Sequence, residues 1–303
     1  MIFGRPEYFT KEHFEAHKGM APAHLCELVV YCLELVSQLS HHGLPYRFKG
    51  GNSLLLLLED PQRFSIDVDI VTTESKEAVI SLVEKIATSV DVFTRWEVRQ
   101  HQTKPWLPMV SFKLYFESCY QPADDAFVML DVVLKPAPYP GVKRQVRCGG
   151  IYQSGQEAEV PSISGLVGDK LLTIGPSTLG IPLGKKKEAQ RLKHVFDVSL
   201  LSRQGYEVEA VREAIAGCKA QEEQIQGSSY TWEQIAADTA RFCGAPMAHG
   251  EPPAPAALGD DPYLAEIVTG FDQFRQHLFR LEYSWRMLQE DCRHVIALLE
   301  RLT

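Results

Sequence analysis

Apolar positions recur along this chain at two periods, and the change between them marks out its elements. Over residues 21–42, Leu25, Leu28, Val29, Cys32, Leu33, Val36 and Leu39 fall at helical spacing. Gly43 and Pro45 close that helix, and the pair His41-His42 belongs to its end. Tyr46-Arg-Phe-Lys49 reads as a short strand, 53–59 as a helix, and Asp60-Pro61 as a turn. From Phe64 to Ile70 the period becomes two: Phe64, Ile66, Val68 and Ile70 share one face, Ser65, Asp67 and Asp69 the other. Residues 76–89 return to helical register through Val79, Leu82, Val83 and Ile86. Strands are expected over 92–101 and 109–116, joined near Pro105, and a third over 127–135. Residues 136–161, rich in Pro and Gly, read as a loop or hairpin carrying Lys143, Arg144 and Arg147.

Beyond residue 161 the pattern is helical. Ile163, Leu166, Val167, Leu171 and Ile174 make one stripe, and Leu192, Val195, Phe196, Leu200 and Leu201 another. Helices are expected over 208–218 and 232–243. A Pro-rich linker over 245–262 then separates a final pair, 263–281 and 282–302. The fold class is therefore α/β: a mixed sheet flanked by helices over 1–160, then a helical C-terminal half over 161–303.

Composition adjusts this picture in two ways. The net charge of −8 provides no global basic field for nucleic acid, so any such contact must be local. The seven scattered cysteines contain no Cys-x-x-Cys pair, which fits reduced thiols rather than a disulfide framework or a zinc site. Residues 1–20 are charged and lack a long apolar run, unlike a signal peptide, and the leucine run 54–58 is too short for a bilayer. A cytoplasmic protein without a membrane role is expected.

The chemistry concentrates between Lys49 and Ile70. Asp67 and Asp69 sit roughly 6.6 Å apart along one face of a strand. Like charges that close repel unless a cation lies between them, and a hard divalent ion such as magnesium suits oxygen ligands. Gly50 and Gly51 allow close backbone approach to a ligand, and a helix beginning at Ser53 would aim N–H groups at an anion. Phosphate beside metal-binding carboxylates suggests a nucleoside triphosphate with its metal. Ser65 shares the carboxylate face; it either reaches phosphate or metal, or bonds to backbone. Lys170 falls on the apolar stripe of its helix, where a lysine either snorkels or serves an anion.

Lys49-Gly-Gly-Asn-Ser53 followed by Arg63-Phe-Ser-Ile-Asp-Val-Asp-Ile70 resembles the AbiEii nucleotidyltransferases, toxins of bacterial toxin–antitoxin pairs within the DNA polymerase β-like superfamily. The family's usual opening is Gly-Gly-Thr/Ser; here Asn52 intervenes and displaces Ser53 by one. The likeness covers about residues 46–201. It implies transfer of a nucleoside monophosphate from NTP to an acceptor hydroxyl, RNA and tRNA ends among the acceptors, with an antitoxin as partner. It makes Asp131, the lone acid in the apolar run Phe127-Val-Met-Leu-Asp-Val-Val-Leu134, the third member of the magnesium cluster with Asp67 and Asp69, or the general base. With it, Gly50, Gly51 and Ser53 are expected to meet the nucleotide phosphates and Lys170 to steady the leaving group. Asp197 matches an aspartate that helps assemble the nucleotide site, while His194 stands where the family has an acid. The basic run Lys185-Lys-Lys187, Arg191 and Lys193 is either a triphosphate or RNA contact or a solvated face. Small-molecule nucleotidyl transfer of the aminoglycoside type, or a silent nucleotide- or partner-binding protein, is the alternative.

Overall fold

A computed structural model describes residues 1–99, 107–122, 126–254 and 258–303. The chain divides into two units, Met1–Pro161 and Ser162–Thr303.

The first unit opens with a 3-10 turn, Pro6–Phe9, and helix α1, Lys11–His17. Helix α2, Ala23–His41, ends in a left-handed Gly43 (φ 72°), with Gly43 N bonded to Ser40 O and Leu44 N to Leu39 O. This pair of bonds satisfies carbonyls that the helix leaves open. There follow β1 (Tyr46–Lys49), α3 (Leu54–Leu57), β2 (Asp67–Thr72), α4 (Lys76–Ser89), β3 (Arg95–Arg99), β4 (Met109–Tyr115), β5 (Phe127–Val133), β6 (Gly141–Cys148) and β7 (Tyr152–Pro161). Five strands form one mixed sheet in the order β1-β2-β5-β4-β3, with β2 and β5 parallel and the other neighbours antiparallel. The expected join near Pro105 and the strand end at His101 lie outside the described residues.

One face of the sheet is a core surface: Val68, Ile70, Phe112, Leu114, Val128, Leu130 and Val132 are fully buried. Helices α2 and α4 pack on this sheet. Helix α2 is long and apolar enough to cross a membrane, yet it is mostly buried as the central helix of this unit. Alternation of the strand side chains places every second residue on the opposite, half-buried face, and the charged residues of the motif lie there.

Residues 136–161 are mainly β6 and β7, an antiparallel hairpin that packs on α2 and β1. Of the two readings, loop or hairpin, the hairpin holds, and the three cations are strand residues. Lys143 lies opposite Glu159 and Arg147 opposite Gln153. The buried carboxylate of Glu34 holds the start of the chain, accepting from the N–H groups of Phe3 and Gly4 and from the Tyr152 hydroxyl.

The second unit is helical: α5 (Ile163–Leu171), α6 (Glu188–Ser202), α7 (Val208–Gln226), α8 (Trp232–Gly244), α9 (Pro262–Arg275) and α10 (Trp285–Leu302). The last two helices are not set apart by the Pro-rich segment, whose Pro255 is outside the described residues. Both pack on α6, and α10 also packs on α8. Buried polar pairs pin these helices. Arg191 bonds Glu266 and the Ile181 carbonyl, and Asp291 accepts from Ser199, Arg203 and Tyr283. Arg191 is fully buried and so does not belong to an exposed basic face, whereas Lys185, Lys186 and Lys187 are exposed.

Candidate active site

The turn after β1 is shaped by what stands against it. Gly50 has φ 71°, a left-handed conformation that L side chains avoid. A Cβ there would lie 2.0 Å from Asp69 Oδ2. At Gly51 a Cβ would lie 2.6 Å from Arg63 Nη2 and 2.7 Å from Ser65 Oγ. The diglycine thus lets backbone pass directly over the polar face of β2. Helix α3 is a single turn, Leu54–Leu57, rather than the seven-residue helix expected. Ser53 is fully buried, and its hydroxyl donates to Gly50 O at 2.9 Å. The hydroxyl expected to meet phosphate therefore closes the turn. Asn52 is buried too; its Nδ2 donates to Asp67 O, while its Oδ1 has no hydrogen-bond partner.

Strand register assembles the carboxylates. Asp69 is the ladder partner of Lys49 on β1 and of Asp131 on β5; Asp131 in turn faces Ser111 on β4, and Ser111 faces Arg99 on β3. One transverse row therefore reads Lys49, Asp69, Asp131, Ser111, Arg99, with two acids in the middle and a cation at each end. Neighbouring strands lie about 4.8 Å apart, so Asp69 and Asp131 share one small space on one face of the sheet. Asp67 lies two residues along β2 on the same face and is exposed. Ser65 precedes β2 and is half-buried. The hydroxyl of Ser111 donates to Asp131 Oδ1.

Among the described residues, no three His, Cys, Asp or Glu side chains form a ready-made metal cage on their own. The donor set still suits a hard cation. Magnesium is commonly held by one or two carboxylates with substrate phosphates and water completing the shell, and Asp69 beside Asp131 offers that arrangement. Beneath the strand, the Cys32 thiol donates to Ile66 O. Burial, reinforced by the charges of Asp67 and Asp69, pushes that thiol well above its usual range and keeps it protonated and unreactive. A cleft of about 440 Å³ in this unit is lined by Tyr46, Arg47, Thr72, Lys135, Glu157 and Glu159 and includes none of the three carboxylates. The carboxylate row, not cavity size, carries the assignment.

The second unit contains the remaining candidates. Lys170 on α5 is 4 % exposed, and its Nζ lies 2.7 Å from Asp197 Oδ2 on α6. Lys170 neither snorkels to solvent nor stands alone; Asp197, fully buried, is its counterion. One turn before Asp197, His194 Nδ1 meets Thr173 Oγ1, and Thr173 also donates to Lys170 O.

Two residues were not assigned roles from sequence. Arg63 is 5 % exposed, donates to Phe64 O, and supports the space beside Gly51; a buried guanidinium in the middle of a motif was its available signal. Ser111 stands out only as a polar residue in an alternating strand, and nothing in sequence pairs it with Asp131.

A family model described as nucleotidyl transferase AbiEii toxin, type IV toxin–antitoxin system, matches residues 34–282. Among solved structures, MenT4, a nucleotidyltransferase toxin from Mycobacterium tuberculosis H37Rv, matches with a TM-score of 0.58 and 16% identity, covering 97% of this chain and 99% of that one. At that identity the likeness is one of fold. An antigenic nucleotidyltransferase-like protein from Paracoccidioides brasiliensis matches at TM-score 0.42 and 15% identity, over 66% of this chain and 91% of that one. No curated protein sequence matches. With the family model spanning most of its length and both site strands, this chain belongs to the AbiEii nucleotidyltransferase toxin family.

Proposed function

We propose that this nucleotidyltransferase moves a nucleoside monophosphate from a magnesium-bound NTP to a hydroxyl of RNA, tRNA ends being the first acceptors to test. It would act as a cytoplasmic toxin held in check by an antitoxin protein. The observation that carries this reading is the ladder pairing of Asp69 with Asp131, under a glycine turn that leaves no room for a side chain.

In this reading Asp67, Asp69 and Asp131 hold the cation. When bound, a divalent ion neutralises triphosphate charge and favours ionisation of the attacking hydroxyl. Asp131 would help hold that ion, or would take the proton of the acceptor hydroxyl directly. The acceptor oxygen bonds to the α-phosphorus as the bond to the bridging oxygen breaks, and pyrophosphate leaves. Gly50 and Gly51 bring backbone close to the phosphates, and Ser65 lies on the same face. Lys170, whose Nζ meets Asp197 Oδ2, is assigned the developing charge on the leaving group.

The test incubates the protein with magnesium, each labelled NTP in turn, and total RNA, with Asp67→Ala and Asp69→Ala as controls. Label in RNA that disappears in both variants supports the proposal. Label confined to small molecules would move the acceptor class elsewhere. Bound nucleotide without any transfer would refute catalysis.

A further inference from the structure

We propose that Ser111 is a positioning residue for Asp131. It would fix the carboxylate so that one oxygen is committed to β4 and the other remains for the cation on the Asp69 side. The inference rests on the reading above, in which Asp131 serves the metal.

Three observations support it. First, register puts Ser111 directly opposite Asp131 on the antiparallel β4–β5 ladder, while Asp69 is opposite Asp131 on the parallel β2–β5 ladder. Asp131 is therefore flanked by a hydroxyl on one side and a carboxylate on the other. Side chains directly opposite on an antiparallel pair stand about 4.5–5.5 Å apart at Cβ, within reach of one hydrogen bond. Second, the Ser111 hydroxyl does donate to Asp131 Oδ1. Third, both residues are half-buried on a face whose neighbouring rows carry bulky or charged groups, including Met129, Lys113 and Glu97.

The choice of serine has a physical consequence. A free carboxylate on a strand rotates about two side-chain bonds, and Asp131 beside Asp69 would swing away from like charge. A lysine or arginine opposite Asp131 would hold it in place, but would also cancel the negative potential that attracts a cation. A hydroxyl donates one hydrogen bond, carries no charge, and leaves the second oxygen available. Groups that bond to metal-binding carboxylates in this way are commonly worth 10- to 100-fold in metal affinity or activity.

The discriminating pair is Ser111→Thr and Ser111→Val. These side chains have nearly the same shape and both suit a strand, so they differ in the hydroxyl alone. Binding of Mn²⁺ to the full chain without nucleotide is measured by the loss of the free-ion electron paramagnetic resonance signal, with Asp69→Asn run in parallel. We expect Ser111→Thr to bind Mn²⁺ within twofold of the native protein and Ser111→Val to bind 10- to 100-fold more weakly. With labelled NTP, kcat of Ser111→Val should fall by a similar factor while KM for NTP stays within about twofold.

If Asp69→Asn weakens Mn²⁺ binding but Ser111→Val binds as the native protein does, the role of Ser111 is overturned and the carboxylate reading stands. If Thr and Val variants weaken equally, strand packing accounts for the effect and the proposal is refuted. If Asp69→Asn leaves Mn²⁺ binding unchanged, the metal seat itself is refuted, and the role of Ser111 with it.

Discussion

Replacing Gly50 by alanine separates what the glycine does for the fold from what it does for the site. Two costs are expected. The left-handed backbone at φ 71° disfavours an L side chain by about 1–2 kcal/mol. The new Cβ would also stand 2.0 Å from Asp69 Oδ2, so the carboxylate must withdraw by at least about 1 Å to reach ordinary contact. Misplacement of a reacting group on that scale costs on the order of 100-fold in rate. Gly43 supplies the matched control. Its φ is 72°, nearly the same, but a Cβ there meets nothing within 4 Å. Urea unfolding should therefore show a loss of about 1–2 kcal/mol for Gly43→Ala and at least as much for Gly50→Ala, which adds the clash with Asp69. Initial rates of labelled nucleotide transfer should fall about 100-fold for the first and stay near native for the second. A Gly50→Ala enzyme with native rate would refute the claim that the turn is shaped around Asp69. Equal loss of rate in both variants would show that backbone strain alone is responsible.

Other expectations follow from buried groups. Lys170→Met should destabilise the chain by about 3–5 kcal/mol, because it removes the ammonium paired with the fully buried Asp197, while Lys170→Met with Asp197→Leu should recover most of that in urea unfolding. A stable double variant that no longer transfers nucleotide would assign Lys170 to the substrate; full activity would limit it to structure. Arg191→Met should likewise lower the unfolding midpoint, since it leaves Glu266 buried without its cation; an unchanged midpoint would contradict the burial. Burial, together with the neighbouring His17, lowers the affinity of His13 for protons, although its bond to Ile151 O opposes this. The folded state then favours neutral His13. Its stabilisation is present above the ordinary value near 6.5 and is lost as pH falls through the lowered folded value. Thermal melts between pH 7.5 and 5 should drop less steeply in His13→Gln; parallel curves would refute the assignment.

Period-two alternation made the placement of Asp67 and Asp69 legible, because on a half-buried strand it commits the two acids to one face. The neighbour of Asp131 was legible through the family resemblance and not through periodicity. The β2–β5 pairing is non-local, and sequence periodicity specifies a face but not a neighbour. The hairpin β6–β7 was obscured by prolines and glycines, of which Gly149 (φ 48°) makes the turn between the strands. Helix α7 runs past the expected end at Cys218 to Gln226, because the apolar stripe stops while strong helix formers such as Gln and Glu continue. Helix α3 went the other way: a leucine run has high helix propensity, but Leu58 is already extended. Lys170 was visible as a lysine on an apolar stripe. Its counterion was not, because α5 and α6 are joined by a long connection whose path sequence does not specify.

The parallel pairing of β2 and β5 also sets when the carboxylate row comes together. A ribosome that has delivered β2 has produced the Asp-x-Asp segment without Asp131, and β5 reaches its place only after α4, β3 and β4 have been synthesised. If Asp131 serves the metal as proposed, a product cut short before it would not transfer nucleotide. A slip of one residue in the β2–β5 register would turn Asp131 toward the core face, with the same expected effect.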